Sequence, residues 1–298
     1  MSGLIGVVLE QGFIFGIMAL GVYITYRTLD FPDLSVDGTF ALGAAVTAAS
    51  LVKGINPITA CTLSLLAGIL AGAVTGFLHV KLGITNLLSG ILVMIGLYSI
   101  NLRIMGKANL PFFNKETIFT GSSPKIVIVL VIAIGVKLIL DLFLKTKIGF
   151  VLRATGDNPG IVVSLGIDIG LIKILGLALS NGLVSLSGSI MAQYQRFSDV
   201  GMGSGIIVMG LASIIFGESV LKRFSLISPS TMVLAGAIMY KASTSIALEL
   251  GFPPTDLKLI TSIIVVIALG LSNKRIGTTL KRVISRGGDS NAANAKSA

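Results

Sequence analysis

The chain has 298 residues, 53% of them hydrophobic and 12% charged, with a formal net charge of +10 and a mean hydropathy of +0.95. A soluble domain carries about a quarter charged residues, so a water-soluble globular fold is excluded. One cysteine, Cys61, and one histidine, His79, leave little room for a disulfide framework or a Cys/His metal site.

The opening stretch, MSGLIGVVLEQGFIFGIMALGVYITYR, has no basic leader and no small-residue cleavage site, and is read as a retained first span. The apolar runs that follow reach roughly 20 residues, enough to cross a ~30 Å hydrocarbon core as helix. The shorter alternating segments of a membrane β-barrel are absent. The pattern predicts an all-α, polytopic transmembrane helical bundle with about nine spans: 4–25, 37–52, 57–80, 84–104, 125–144, 169–192, 203–219, 227–248 and 255–272. The second and seventh are short and glycine-rich, which suggests broken or tilted helices. Residues 1–272 then form a single membrane domain, and 273–298 a basic cytoplasmic tail with a disorder-like end, GGDSNAANAKSA.

Much of the positive charge lies in short loops and in that tail, at Lys274, Arg275, Lys281, Arg282, Arg286 and Lys296. That is the footprint of a cytoplasmic membrane edge and not of a nucleic-acid surface. Arg27, Lys81, Lys145, Lys147 and Arg153 fall on the tail's side, outnumbering Lys53, Arg103, Lys107 and their like on the other. The expected orientation in the cell membrane is therefore N-terminus outside and C-terminus cytoplasmic.

Two pairs of stretches point to an internal repeat. FPDLSVDGTFALGAA (31–45) resembles FSDVGMGSGIIVMGLA (197–212), with Asp33 and Asp199 matched at an offset of 166. LGITNLLSGILVMIG (82–96) resembles LGFPPTDLKLITSIIVVIALG (250–270), at an offset of 168. The halves are about 1–104 and 169–272, joined by span 5 and a loop over 145–168. A connector of one span inverts the second half, and in transporters with inverted repeats the substrate path lies between the halves.

Several residues have two readings. Asp30, Asp33 and Asp37 stand at the mouth of span 2 and Asp199 at the mirrored place. Each either caps a helix, Asp37 its own, or meets the ammonium of a zwitterionic substrate. Asn86, Asn101 and Asn181 suit interhelical hydrogen bonds, with substrate contact a second use for Asn86 and Asn181. Lys137 and Asp141, spaced i, i+4, are expected to pair on one helix face. Cys61 reads as a small core residue. His79, Tyr26, Gln193, Tyr194 and Gln195 are placed at membrane interfaces. The small residues of spans 2, 3, 6 and 7 are read as close-packing faces.

The loop between spans 5 and 6 holds LRATGDNPGIVVSLGID (152–168). Asp157 or Asn158 can cap a short helix with Pro159 at its first position, and Gly166 can end it. Ile161, Val162, Val163 and Leu165 give it an apolar face. Read locally, this is either an interfacial loop whose charges enforce topology or a helix that docks a cytoplasmic partner. The full stretch TKIGFVLRATGDNPGIVVSLGID closely resembles the cytoplasmic coupling loop of permeases in the branched-chain amino acid and ribose class of ATP-binding-cassette importers. Arg153-Ala154, Gly156-Asp157-Asn158-Pro159 and Gly166-Ile167 fit that pattern. TLDFPDLSVDGTFALGAAV (28–46) is similar to the aromatic amino acid subgroup, for tryptophan or tyrosine.

The resemblance implies a permease that works as a homodimer in membrane lipid. Two ATP-binding subunits would hold ATP and Mg, and an extracytoplasmic binding protein would deliver the substrate. Arg153, Gly156, Asp157, Asn158, Pro159, Ile161, Val162, Leu165 and Gly166 would be the ATPase-coupling residues, and Asp33, Asp37, Asn86, Asn181 and Asp199 candidates along the substrate path. This chain has no phosphate-binding Gly-Lys loop, so it is expected to be a transporter subunit and not an enzyme, with no cofactor of its own. Inverted repeats and membrane carboxylates suit an ion-coupled secondary transporter equally well. A same-class permease for a branched-chain amino acid, sugar or nucleoside is the other alternative.

Overall fold

A computed structural model describes residues 2–121, 123–221 and 227–251, together with positions 253, 259, 262, 263 and 266. Ten α-helices run through them: α1 (Ser2–Tyr23), α2 (Ser35–Val52), α3 (Pro57–Leu82), α4 (Asn86–Met105), α5 (Lys125–Lys145), α6 (Lys147–Asp157), α7 (Pro159–Ser164), α8 (Ile169–Gln195), α9 (Ile206–Leu221) and α10 (Pro229–Glu249). A π-helical turn, Ile24–Thr28, extends α1, and a 3₁₀ turn, Val200–Gly203, leads into α9. Among the described residues, eight segments are long and apolar enough to cross a membrane, and they match the first eight predicted spans to within a few residues. The chain is a multi-pass membrane protein. The ninth predicted span, 255–272, lies almost wholly outside the described residues, as do Lys222, Arg223 and the tail 273–298.

Local chemistry sets the helix ends. Asn56 accepts the Ile58 N–H at 2.9 Å and Pro57 follows it at the first position of α3, while Gly83 closes that helix at φ +67°. Asp168 opens α8 by accepting from Gly170 N at 2.7 Å. The all-helical reading missed one small element. Strand β1 (Asn109–Pro111) pairs antiparallel with β2 (Phe197–Asp199), in the register Asn109↔Asp199 and Pro111↔Phe197. The chain leaving α4 and the chain leaving α8 emerge side by side at one end of the bundle, and pairing satisfies backbone groups that have no helix to join.

The packing is reciprocal. α8 lies against α2 and α3, and α1 lies against α9 and α10, so the first and eighth helices each pack on elements distant in sequence. The α8 seam is built from small residues: a Cβ added at Gly43, Gly68, Gly72 or Gly188 would run into opposing backbone. The main core gathers Ile14, Met18, Phe31, Phe40, Leu152 and Leu177. Leu70, Ile95, Ile139 and Leu142 lie exposed on the outer faces of α3, α4 and α5, as lipid contact allows.

α2 and α9 do not start at an end of the bundle. Ser35, the first residue of α2, hydrogen-bonds to Asn181 near the midpoint of α8. The first turn of α9 meets Asp37, in the first turn of α2. The N-terminal turns of α2 and α9 therefore meet inside the membrane domain, and both helices are shorter than α8, in keeping with the shortness read in spans 2 and 7.

Candidate functional site

The joint between those helix starts is made by one carboxylate. Asp37 Oδ2 accepts from Gly205 N at 2.9 Å and Oδ1 from Ile207 N at 2.8 Å. Helix starts carry amide N–H groups without partners and a partial positive charge, and a carboxylate answers both. Gly203 allows the close approach, since a Cβ there would strike the Asp37 carbonyl. The expectation that Asp37 caps its own helix is corrected: it is the third residue of α2 and caps α9. The start of α2 is instead served by Asp33 Oδ1, which accepts from Ser35 N at 2.8 Å.

Beside this joint lies a buried polar knot. Asn181 Nδ2 donates to Asp33 Oδ2 at 2.8 Å and to Leu177 O at 3.1 Å. Its Oδ1 accepts from Thr39 Oγ1 at 2.6 Å and Ser35 Oγ at 3.2 Å. Asp33 is 2% exposed and Asn181 fully buried. A carboxylate survives such burial only when its oxygens are bonded, as both are here. The structure thus brings two predicted path residues together, but as a lock with no open space around it. Asp30, by contrast, is exposed and bends the chain at φ +50°. Asn86 opens α4 half-buried, and among the described residues no hydrogen bond joins it to this group.

A second polar ladder runs from the knot toward the strand ribbon. Thr47 Oγ1 bonds Ser189 Oγ at 2.6 Å and Ser64 Oγ at 2.8 Å. Gln193 Nε2 reaches Cys61 Sγ at 3.1 Å, and its Oε1 accepts from Ile118 N at 2.9 Å. Gln193 is fully buried, not interfacial as expected: it tethers the 106–124 connection to α8. Tyr194 donates to Glu10 at 2.8 Å. His79 lies in the last turn of α3. It is half-buried, with Nδ1 2.8 Å from Ile84 O and its ring edge-on to Phe31. Lys137 and Asp141 pair at 2.8 Å as expected, and Asp141 further accepts from Ser230 of α10. Asn101 ties α4 to α2 through Gly38 O at 3.3 Å.

A cavity of about 400 Å³ opens at the ribbon end and runs down to the start of α9. Asn109, Gln195, Asp199 and Ser204 bring polar atoms to its lining, and Phe15, Phe40, Met191 and Ile206 are its buried apolar members. The Phe15 and Phe40 rings stack with centroids 6.2 Å apart, and Lys241 Nζ lies 5.6 Å from the Phe15 centroid. Asp199 caps its own 3₁₀ turn, accepting from Gly201 N at 2.7 Å, with Asn109 Nδ2 at 3.3 Å. Of the predicted path residues, Asp199 lines this cavity. The aromatic and methionine members were not singled out in the sequence. The buried ones, Phe15, Phe40 and Met191, come from α1, α2 and α8, whose apolar faces look alike until they are packed.

At the opposite end, α6 and α7 carry the predicted coupling residues. Thr146 caps α6 through Gly149 N at 3.2 Å, and Pro159 is the first residue of α7. Asn158 holds the N-cap position of α7, but neither it nor Asp157 makes the expected side-chain cap there. Gly166 turns the chain beyond it at φ +72°. Leu152 and Val162 are buried, whereas Phe150, Ile161, Val163 and Leu165 are more than half exposed, at 66%, 52%, 62% and 62%. Arg153, Asp157 and Pro159 are also exposed. Gly156 rests on the carbonyl of Thr28, where any Cβ would collide, and Leu152 meets Gly176 of α8. The element therefore bears directly on the π turn that ends α1. No residue pattern signalled that turn.

The family model for the permease component of branched-chain amino acid transport systems matches residues 4–270. The chain belongs to this permease family. Among curated proteins, the permease is similar to the tyrosine transport system permease protein of Clostridioides difficile (strain R20291), 52% identical over 276 residues that cover 93% of each chain. It is 35% identical to an uncharacterized protein of Rickettsia prowazekii (strain Madrid E), over 88% of this chain and 95% of that one. The galactofuranose transporter permease protein of Escherichia coli (strain K12) is 25% identical over 94% of the permease and 86% of its own length. No solved structure matches the permease. The permease is a transporter subunit and not an enzyme.

Proposed function

We propose that the permease is the membrane subunit of an ATP-binding-cassette importer for an amino acid, tyrosine first. The observation that carries this reading is the 52% identity, across 93% of both chains, to a tyrosine transport system permease. Two copies of the chain form the path, two ATPase subunits hold ATP and Mg at the α6–α7 end, and a binding protein delivers substrate at the ribbon end. The ribbon end faces outward and α6–α7 the cytoplasm, as the distribution of lysine and arginine favours.

The exposed apolar residues of α7 suit a groove on each ATPase, and Arg153 and Asp157 its charged rim. Displacement of α6 acts on the chain at Thr28 through Gly156. A few residues on, the same segment reaches the Asp33–Asn181 lock and then the start of α2. Asp37 passes the movement to α9, whose start lines the cavity. An ion-coupled secondary transporter has no use for an exposed docking element of this kind.

The test is uptake of labelled tyrosine into proteoliposomes holding the permease, its ATPase and the binding protein. Uptake should need ATP and all three components, and glycines at Asp157 and Pro159 should leave ATP hydrolysis running without transport. Uptake by the permease alone, driven by a sodium or proton gradient, is the result that overturns the reading.

A further inference from the structure

The cavity at the ribbon end has a chemistry that bears on which solute it takes. Its volume, about 400 Å³, lies within the usual range for small-molecule pockets. Its lining divides by polarity: Asn109, Asp199 and Ser204 are partly or fully exposed, whereas Phe15, Phe40 and Met191 are buried. A polyol seated on the apolar members would leave hydroxyls unpaired, which costs more than the contact returns. A side chain that is apolar for most of its length loses nothing there.

Asp199 is the one charged residue among the lining residues. Its carboxylate asks for a donor-rich cation, and an α-ammonium has three N–H groups to offer. Among the described residues no lysine or arginine is a lining residue, and Lys241 Nζ stands over the Phe15 ring at 5.6 Å.

We propose that this cavity is the permease's own recognition site for a large apolar or aromatic amino acid, with the side chain on the Phe15–Phe40 base and the α-ammonium at Asp199. The assignment rests on the importer reading above and narrows it. The base offers no strong acceptor for a phenol, only the weakly accepting Met191 sulfur. The site itself therefore favours phenylalanine at least as much as tyrosine, and finer discrimination falls to the binding protein.

The test is equilibrium dialysis of labelled phenylalanine and tyrosine against the permease–ATPase complex in nanodiscs, without binding protein. Saturable binding should be displaced by either amino acid. 3-Phenylpropionate, which lacks the ammonium, and galactose should be at least roughly tenfold poorer competitors. Asp199→Asn, which keeps an oxygen for the Gly201 cap, should weaken phenylalanine binding by a similar factor, and Ser204→Trp should abolish it by filling the mouth. The competition series uses the unmodified protein, so it decides even if a variant fails to fold. Equal competition by 3-phenylpropionate, unchanged binding in both variants, or no saturable binding overturns the assignment. In the last case, ATP-driven tyrosine uptake by the full importer leaves the importer reading standing. Absence of that uptake removes both.

Discussion

Asp37 Oδ1 accepts the backbone N–H of Ile207 at 2.8 Å, so the first turn of α2 caps a helix that begins 170 residues later. A cap supplied from another helix holds two elements in place at once. Its loss is felt in both, because the freed amide groups lie in a part-buried setting with little water to replace the carboxylate.

Replacing Asp37 with alanine should cost about 1–2 kcal/mol, the usual worth of a helix cap, and Asp37→Asn distinctly less. In detergent-purified protein the thermal midpoint should fall in that order. A midpoint for Asp37→Ala equal to the parent's would show that water replaces the carboxylate without loss.

Asn181→Ala removes the partner of Asp33 Oδ2 and the acceptor used by Thr39 and Ser35. The expected loss is about 1–3 kcal/mol, since the remaining groups stay buried and unmet. Because both residues belong to one network, a double-mutant cycle of Asp33→Ala and Asn181→Ala should show a coupling of about 0.5–3 kcal/mol. Additive losses, read from chemical denaturation of each variant, would place the two in separate roles.

Gly156→Ala pushes a methyl group against the Thr28 carbonyl. For the importer proposed above, the expected outcome is reduced tyrosine uptake per ATP hydrolysed, with the protein still inserted and still bound to the ATPase. The ratio of uptake to phosphate release in proteoliposomes checks it, and a ratio equal to the parent's removes this contact from the transmission route.

The Arg27–Glu218 ion pair, at 3.1 Å with side chains 52% and 28% exposed, is a control of opposite sign. Exposed pairs contribute about 0–1 kcal/mol, so Arg27→Ala should shift the thermal midpoint little. A drop as large as that of Asp37→Ala would mean that this pair is shielded from water in the assembled importer.

Eight spans were legible in the sequence because a bilayer demands a long apolar run for each crossing, and such a run shows in any window. The helix at Pro159 was legible for a different reason: Pro159 and Gly166 punctuate the chain locally. The partners of Asp37, Asn181 and Gln193 were not legible. Their tertiary partners lie between about 75 and 170 positions away, and the choice depends on packing among faces that are all apolar. The matched stretches around Asp33 and Asp199 hinted that the two places correspond. They gave no sign that one carboxylate would be sealed in a knot and the other left beside open space. The π turn was invisible for a simpler reason, since ITYR is as compatible with an ordinary helix.

The exchange of α1 and α8 has a consequence for biogenesis. With α1 packed on α9 and α10, and α8 on α2 and α3, neither portion of the chain is a self-sufficient folding unit. The first four spans leave the ribosome before the helix that fills their seam has been synthesised. Until α8 arrives, glycine-rich surfaces such as those at Gly43 and Gly68 wait in lipid without their mate, and the nascent chain matures only once its second portion has threaded into place.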